Sequence, residues 1–314
     1  MDNTTYTAGI DIGGTGTKLG LVNSNGNIVA QSSLRTDAFA SPEDFVTAVW
    51  NETKRIAEGK PISGLGIGAP NGNYYNGCIE NAPNLPWKGR IELSRLFSEQ
   101  SGLNAIVTND ANAAALGEMM FGGAKGLEHF IYITLGTGVG SGIVSGGEMI
   151  YGHDGMAGEL GHSITIPHGR LCGCGRHGCL EMYASVRGIV ITMKELLGEN
   201  PGVSMLETQE HLQSKHIYEA AVAGDKLALK AFDITANILA MALANAVAFS
   251  SPSHIFIFGG LANSGNILML PLKQYFEEHL LNVYKNKVKI ERSQLPHSDA
   301  AILGAAALAL NEKR

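Results

Sequence analysis

His162, Cys172, Cys174 and Cys179 fall in the pattern H-x9-C-x-C-x4-C. Three thiols and an imidazole at that spacing make a Cys3His set, the donor composition of a closed tetrahedral zinc site. The plain alternative is a reduced, buried cysteine group with no metal. Glu159 precedes the cluster and Glu181 follows it, so a metal cross-linking this loop would hold both carboxylates in place. The His162 imidazole has two nitrogens with separable jobs: one can take the metal while the other donates to a substrate hydroxyl. A carboxylate accepts two hydrogen bonds in a fork, which suits vicinal sugar hydroxyls; otherwise both glutamates are solvated loop residues. Gly173, Gly175 and Gly178 match G-x-G-x-x-G spacing, but no strand and helix frame them, so this is a chance match.

A second group carries phosphate chemistry. Asp11 is followed by Gly13-Gly14-Thr15-Gly16-Thr17-Lys18, and Leu135 by Gly136-Thr137-Gly138-Val139-Gly140-Ser141-Gly142. Glycine lets backbone amides approach an anion closely, without a Cβ in the way. Lys18 and the hydroxyls of Thr15, Thr17, Thr137 and Ser141 are further candidate donors. No G-x-x-x-x-G-K-[ST] run exists, which excludes a P-loop. Asp11, beside the first turn, is placed either to hold Mg2+ directly or through its waters, or simply to cap the turn.

Asp110, within Thr108-Asn109-Asp110-Ala111-Asn112, stands at a strand-to-helix junction. It is either the helix N-cap or a base that accepts a hydroxyl proton during phosphoryl transfer. Asn109 could orient the same substrate. Asn84-Leu85-Pro86-Trp87 offers an amide and an aromatic of the kind that lines sugar sites.

Alternation and turn residues place the elements that carry these groups. Tyr6 to Val22 reads as strand, glycine turn, strand, and Ile28 to Ser32 as a third strand. Ser41 caps a helix with Pro42 at its first position, running to about Glu58. Gly64–Gly68 and Asn104–Val107 are strands, and Asp110–Met120 is a helix. The opening pattern then recurs, with Ile10-Asp11-Ile12-Gly13 matching Ile133-Thr134-Leu135-Gly136. Such self-similarity predicts two related lobes. They are chemically unequal, because the second lacks the aspartate. His254–Phe258 is a buried strand ending at Gly259-Gly260, Ile234–Phe249 a buried helix, and Ala300–Leu310 an alanine-rich closing helix.

Composition bounds the class. The chain has 314 residues, 45% hydrophobic and 17% charged, enough for two domains with a large core. Net charge is −6 with no basic stripe, which gives nucleic acid or anionic membrane no electrostatic footing. Ile234–Phe249 is broken by two asparagines and falls short of the ~20 residues of a membrane span. Met1–Thr5 is polar, without the basic and apolar regions of a signal peptide. Of four cysteines, three sit in the metal-like cluster and Cys78 stands alone, so there is no disulfide framework. A cytoplasmic location is expected.

Asp11-Ile-Gly-Gly-Thr-Gly-Thr-Lys18, Asn109-Asp110-Ala-Asn-Ala-Ala114, Leu135-Gly-Thr-Gly-Val-Gly-Ser-Gly142, Glu159-x-Gly-His162 and Cys172-Gly-Cys-Gly-x-x-Gly-Cys-Leu-Glu181 occur together in this order. The combination resembles the ROK family (repressors, open reading frames, sugar kinases) of the actin/hexokinase/Hsp70 ATPase superfamily, over nearly the whole chain. The resemblance implies a two-lobed actin-like ATPase (ribonuclease H-like) α/β fold with an interlobe cleft and a structural zinc loop. A smaller lobe is expected over 1–118 plus 300–314, and a larger one over 119–299. It also implies ATP-dependent phosphorylation of a hexose at the 6-hydroxyl, glucose foremost, by a homodimer. N-acetylmannosamine, N-acetylglucosamine, fructose and allose are alternative acceptors. A sugar-responsive repressor is the alternative from another class, but a first strand beginning by about Tyr6 leaves no room ahead of it for a DNA-reading module. By the same likeness, Asp110 is the base, and Gly68, Asn84, Asn109, Glu159, His162 and Glu181 bind the sugar. Asp11, Gly13 to Lys18 and Gly136 to Gly138 hold Mg2+ and the ATP phosphates, Gly259 and Gly260 lie near the adenosine, and His162 with the three cysteines binds structural Zn2+. One departure concerns the sugar loop: the family often reads Gly-x-Pro-Gly where this chain has Gly68-Ala69-Pro70-Asn71-Gly72.

Overall fold

A computed structural model describes residues 5–296 and 298–311. The first four residues, part of the polar start, and the last three lie outside the described residues. In chain order the elements are β1 (Tyr6–Ile12), β2 (Gly16–Val22), β3 (Ile28–Arg35), α1 (Pro42–Ala57), β4 (Ile62–Gly68), the short pair β5 (Ile79–Glu80) and β6 (Arg90–Ile91), α2 (Leu93–Ser101), β7 (Ala105–Thr108) and α3 (Asp110–Phe121). There follow β8 (Phe130–Leu135), β9 (Val139–Ser145), β10 (Glu148–Met149), α4 (Glu181–Ala184), α5 (Val186–Glu199), α6 (Ser214–Val222), α7 (Lys226–Ser250), β11 (His254–Phe258), α8 (Asn266–His279), β12 (Lys289–Arg292) and α9 (Ala300–Asn311).

The expected internal repeat is a repeat of topology. One five-stranded sheet has the order β3-β2-β1-β4-β7 and the other β10-β9-β8-β11-β12. Each places a glycine-turn hairpin beside strands that run parallel: β1 with β4 and β4 with β7, then β8 with β11 and β11 with β12. The chain divides into two compact α/β units. One comprises the segments up to Glu128, Gly142–Gly158 and from Ser293 onward; the other comprises His129–Ser141 and Glu159–Arg292.

The first unit is larger than the sequence reading of 1–118 plus 300–314, and particular side chains account for the difference. Glu118, fully buried, gathers the outgoing and returning chain: its carboxylate accepts from the Gly123 amide (2.7 Å), the Gln294 amide (3.1 Å) and the Ser293 hydroxyl. Segment 142–158 joins the same unit through Asn73, whose Nδ2 donates to the Asp154 carbonyl (2.7 Å), and through Tyr74 and Tyr151, which stack with centroids 4.0 Å apart.

Local signals explain where helices start. Ser41 accepts from the Asp44 amide with Pro42 in the first turn of α1, as its sequence predicts. α7 begins earlier than the expected Ile234, because Asp225 accepts from the amides of Leu227 and Ala228 and nucleates two more turns. Among the described helices only α7 is long and apolar enough by composition to cross a membrane. It is a core helix, with Ala228, Phe232, Leu239, Leu243 and Val247 buried along one face.

The core of the first unit closes on α9. Ideal Cβ atoms on Gly9 and Gly66 would lie 2.2 Å from the Ile302 carbonyl oxygen and 1.8 Å from that of Ala305, so the sheet and the helix touch backbone to backbone. Neither backbone can move aside without breaking its own ladder. Gly66→Ala is therefore expected to lower stability by about 3 kcal/mol, read as a lower urea midpoint. Gly198, near the end of α5, has open space around its Cβ position, and Gly198→Ala there should be neutral or gain about 0.5 kcal/mol. Equal midpoints for the two variants would contradict the packing account.

Candidate active site

In the first unit the site grows from strand register. Antiparallel pairing puts Lys18 opposite Asp11, and parallel pairing puts Gly68 opposite Asp11 and Thr108 opposite Gly68. The carboxyl ends of three neighbouring strands thus converge, the usual place for a ligand in an open α/β sheet. Gly68 is the spacer. An ideal Cβ there would lie 3.3 Å from Ala113 Cβ and 3.7 Å from both Asp11 Oδ1 and the Asp110 Cα, so any larger residue would push between the two aspartates.

Burial and the neighbouring charge of Asp110 push the Asp11 carboxyl up to about 6, with Lys18 opposing. Asp110 keeps an exposed surface, yet the protein packed around it also raises its carboxyl above the ordinary range, against the pull of the Ala111 amide. Two partly desolvated carboxylates of like charge fit a divalent cation, which relieves their repulsion. A carboxylate of raised pKa is also a better proton acceptor. Among the described residues three buried side-chain polar atoms lack a hydrogen-bond partner, and two of them, Thr108 Oγ1 and Asn112 Oδ1, flank this junction.

The N-cap of α3 is Asn109, whose Oδ1 accepts from the Asn112 amide (2.8 Å). Asp110, one residue on, accepts from the adjacent Ala111 amide (2.9 Å). Its alternative reading as the cap is therefore displaced, and Asn109 keeps its amide nitrogen and a second oxygen lone pair for a ligand. Asn84 is exposed and its backbone abuts the first glycine turn, its carbonyl oxygen 2.3 Å from an ideal Cβ on Gly14. The turn itself is closed by the Gly13 amide donating to the Gly16 carbonyl (3.0 Å).

Three sequence expectations fail here. Thr17 is buried with its hydroxyl paired to that of Thr36 (2.9 Å), so it offers no side-chain donor to a phosphate. Ser141 is buried too, and its Oγ accepts from the Leu160 amide (3.2 Å), fixing the turn that bears Glu159 and His162. Trp87 belongs to the core: its indole donates to the Phe39 carbonyl (3.1 Å) and its ring packs on Phe45. The departure at Asn71 has a local explanation. Asn71 adopts the left-handed backbone (φ 52°), and its Nδ2 donates to the Glu80 carbonyl (2.9 Å), so it takes a conformation that a glycine would also take.

The second unit supplies the matching hairpin. Thr134 stands where Asp11 does in the first, and its hydroxyl accepts from the Gly140 amide (3.1 Å), a structural role in place of a charged one. The Gly136 carbonyl accepts from the Val186 amide at the start of α5 (2.8 Å). Thr137, Val186, Val190, Ile191 and Lys194 line a cavity of about 520 Å³ beside this turn. Gly260 abuts its wall, an ideal Cβ lying 3.7 Å from Val186 Cγ2. A cavity of about 580 Å³ in the first unit, lined by Ser41, Trp87, Arg90 and Arg95 among others, includes neither Asp11, Asp110 nor Asn84.

The metal-like cluster assembles as its spacing predicts. One donor atom from each of His162, Cys172, Cys174 and Cys179 lies within 4.8 Å of every other. All four cysteines are free of disulfides, and Cys172 and Cys179 are buried. The donor set fits zinc by chemistry as well as by proximity. Nδ1 of His162 is the nitrogen facing Cys172 Sγ (3.7 Å), which leaves Nε2 for another partner. Glu181 joins the group: its Oε1 lies 2.9 Å from Cys172 Sγ, and its Oε2 would be 2.7 Å from an ideal Cβ on Gly138. A candidate sugar carboxylate thus touches both the metal-like cluster and the second glycine turn.

Each unit thus carries a glycine-turn hairpin on the same sheet plan, with an aspartate pair in the first and a Cys3His loop in the second. The ROK family model matches residues 7–312, and the chain belongs to the ROK family. It is 35% identical to the glucokinase of Streptomyces coelicolor, over 96% of this chain and 97% of that one. It is 32% identical to the N-acetylmannosamine kinase of Escherichia coli, over 98% and 99%. Among solved structures it resembles a ROK family glucokinase from Streptomyces griseus in complex with glucose and AMPPNP, with TM-score 0.81, 32% identity and 98% and 100% coverage.

Proposed function

We propose that this chain is an ATP-dependent hexose kinase that phosphorylates the 6-hydroxyl, with glucose as the first acceptor. The observation that carries the reading is the placement of Asp110 beside Asp11, with Gly68 as the spacer between them. Asp110 takes the proton of the 6-hydroxyl as its oxygen bonds to the γ-phosphorus and the bond from that phosphorus to the bridging oxygen breaks, leaving ADP. Backbone amides of Gly14–Gly16 and Thr137–Gly138 stabilise the phosphate charge, and the cavity beside Thr137 takes the nucleoside. Asp11 would hold Mg2+, which when bound with ATP neutralises phosphate charge. Asn84, the Asn109 side-chain amide, Glu159, His162 Nε2 and Glu181 orient the sugar, and His162 with the three cysteines would hold Zn2+ as a structural ion. The similarity to a glucokinase supports glucose, and a similarity nearly as high to an N-acetylmannosamine kinase supports that sugar as the second acceptor. A homodimer acting in the cytoplasm completes the reading.

The test is a panel of glucose, N-acetylmannosamine, N-acetylglucosamine, fructose and allose with ATP, followed by coupled ADP release. Glucose is expected to have the highest kcat/KM. A higher value for N-acetylmannosamine would replace the acceptor, and no turnover with any hexose would remove the kinase reading.

A further inference from the structure

Arg170 precedes the first cysteine of the cluster and carries no role in the site as described. Its side chain is only 14% exposed and bonds in several directions. Nη1 donates to the carbonyls of Met182 (2.7 Å) and Gly188 (3.3 Å). Nη2 donates to Thr192 Oγ1 (2.9 Å) and to Glu195, while Nε donates to Glu195 Oε1 (3.0 Å). The guanidinium also lies over the Tyr183 ring, 4.5 Å from its centroid, and the Tyr183 hydroxyl accepts from the Arg170 amide (2.8 Å). One side chain therefore stitches the cysteine loop, α4 and α5 together.

These partners differ in how much they need it. α5 is capped by Ser185, which accepts from the Gly188 amide (2.9 Å), and it buries Ile189, Met193 and Leu196. α4 is one turn of four residues with no side-chain cap, and Glu181 is its first residue. So short a helix has no stability of its own, and its orientation follows whatever grips Met182 and Tyr183. Lysine could not replace the grip, because only a planar fork serves two carbonyls, a hydroxyl and a carboxylate while stacking on a ring.

We propose that Arg170 is a positioning residue for the acceptor sugar, holding α4 so that the Glu181 carboxylate stays against Gly138 and beside His162. The inference rests on the reading of Glu181 as a sugar ligand. The test is steady-state kinetics of R170Q, R170K, E181Q and the R170Q/E181Q double variant, with zinc content and thermal midpoint measured on the same preparations. Both Arg170 variants should retain the parent's zinc and an ATP KM within about twofold, while sugar KM rises about tenfold and kcat falls less than about threefold. E181Q should raise sugar KM at least as far, and the double variant should add little to it, since both act through one carboxylate. Should R170Q not accumulate as folded protein, R170K carries the same comparison. A lowered thermal midpoint with parental sugar KM would make Arg170 a purely structural staple and overturn the inference. If E181Q raises sugar KM and the Arg170 variants do not, the inference fails alone; if E181Q leaves it unchanged, the assignment of Glu181 fails first.

Discussion

Asp110→Asn is expected to lower kcat by about 10³-fold while changing the dissociation constant of the sugar by less than about threefold. The amide is isosteric and its oxygen can still accept from the Ala111 amide, so the start of α3, capped independently by Asn109, is undisturbed. What it cannot do is take a proton. The pH profile supplies a second reading. A base works only when deprotonated, so activity should rise with pH through its pKa. Burial raises the Asp110 carboxyl, so that limb belongs above the ordinary ~4 of an aspartate. A variant that turns over within tenfold of the parent would place the base elsewhere.

Removing the proposed Zn2+ is the other large perturbation. Chelation, or Cys174→Ser, is expected to weaken sugar binding by about 100-fold and ATP binding by less than about threefold, both read by titration calorimetry against measured zinc content. The asymmetry follows from what each site shares with the cluster. His162 belongs to the Cys3His set and to the proposed sugar set, and Glu181 lies 2.9 Å from Cys172 Sγ. The glycine turn at Gly136 is held instead by the Val186 amide, at the start of a helix with its own core contacts. Equal loss of both affinities would mean that the cluster only maintains the fold.

Chemistry was readable wherever the participants are close in sequence. The Cys3His loop, the glycine turn after Asp11, its recurrence after Leu135 and the Ser41-Pro42 helix start all declare themselves within a few residues. Side-chain direction was harder. Thr17 looked like a phosphate donor, yet it precedes exposed Lys18 on β2, and the alternation of a strand turns it inward. The same reasoning applies to Ser141 on β9, and the apolar run around Trp87 hid a core ring. Asn109 and Asp110 are both good caps by residue type, and only backbone geometry separates them. Long-range partners left no local trace at all. Glu118 meets Ser293 and Gln294 from the far end of the chain, and Arg170 finds Glu195 on a helix that no short motif announces.

The glycine-to-carbonyl packing of α9 on β1 and β4 has a consequence for how the protein is made. The strands β1, β2, β3, β4 and β7 leave a ribosome before any of the second unit, but the helix that covers the glycine face of β1 and β4 begins at Ala300. Every residue of the second unit is synthesised in between. During translation the earlier unit therefore waits with an open apolar face, while the later one can already close. Order of completion is the reverse of order of synthesis, and the interval between them is when this chain is most exposed to chaperones and to its own neighbours.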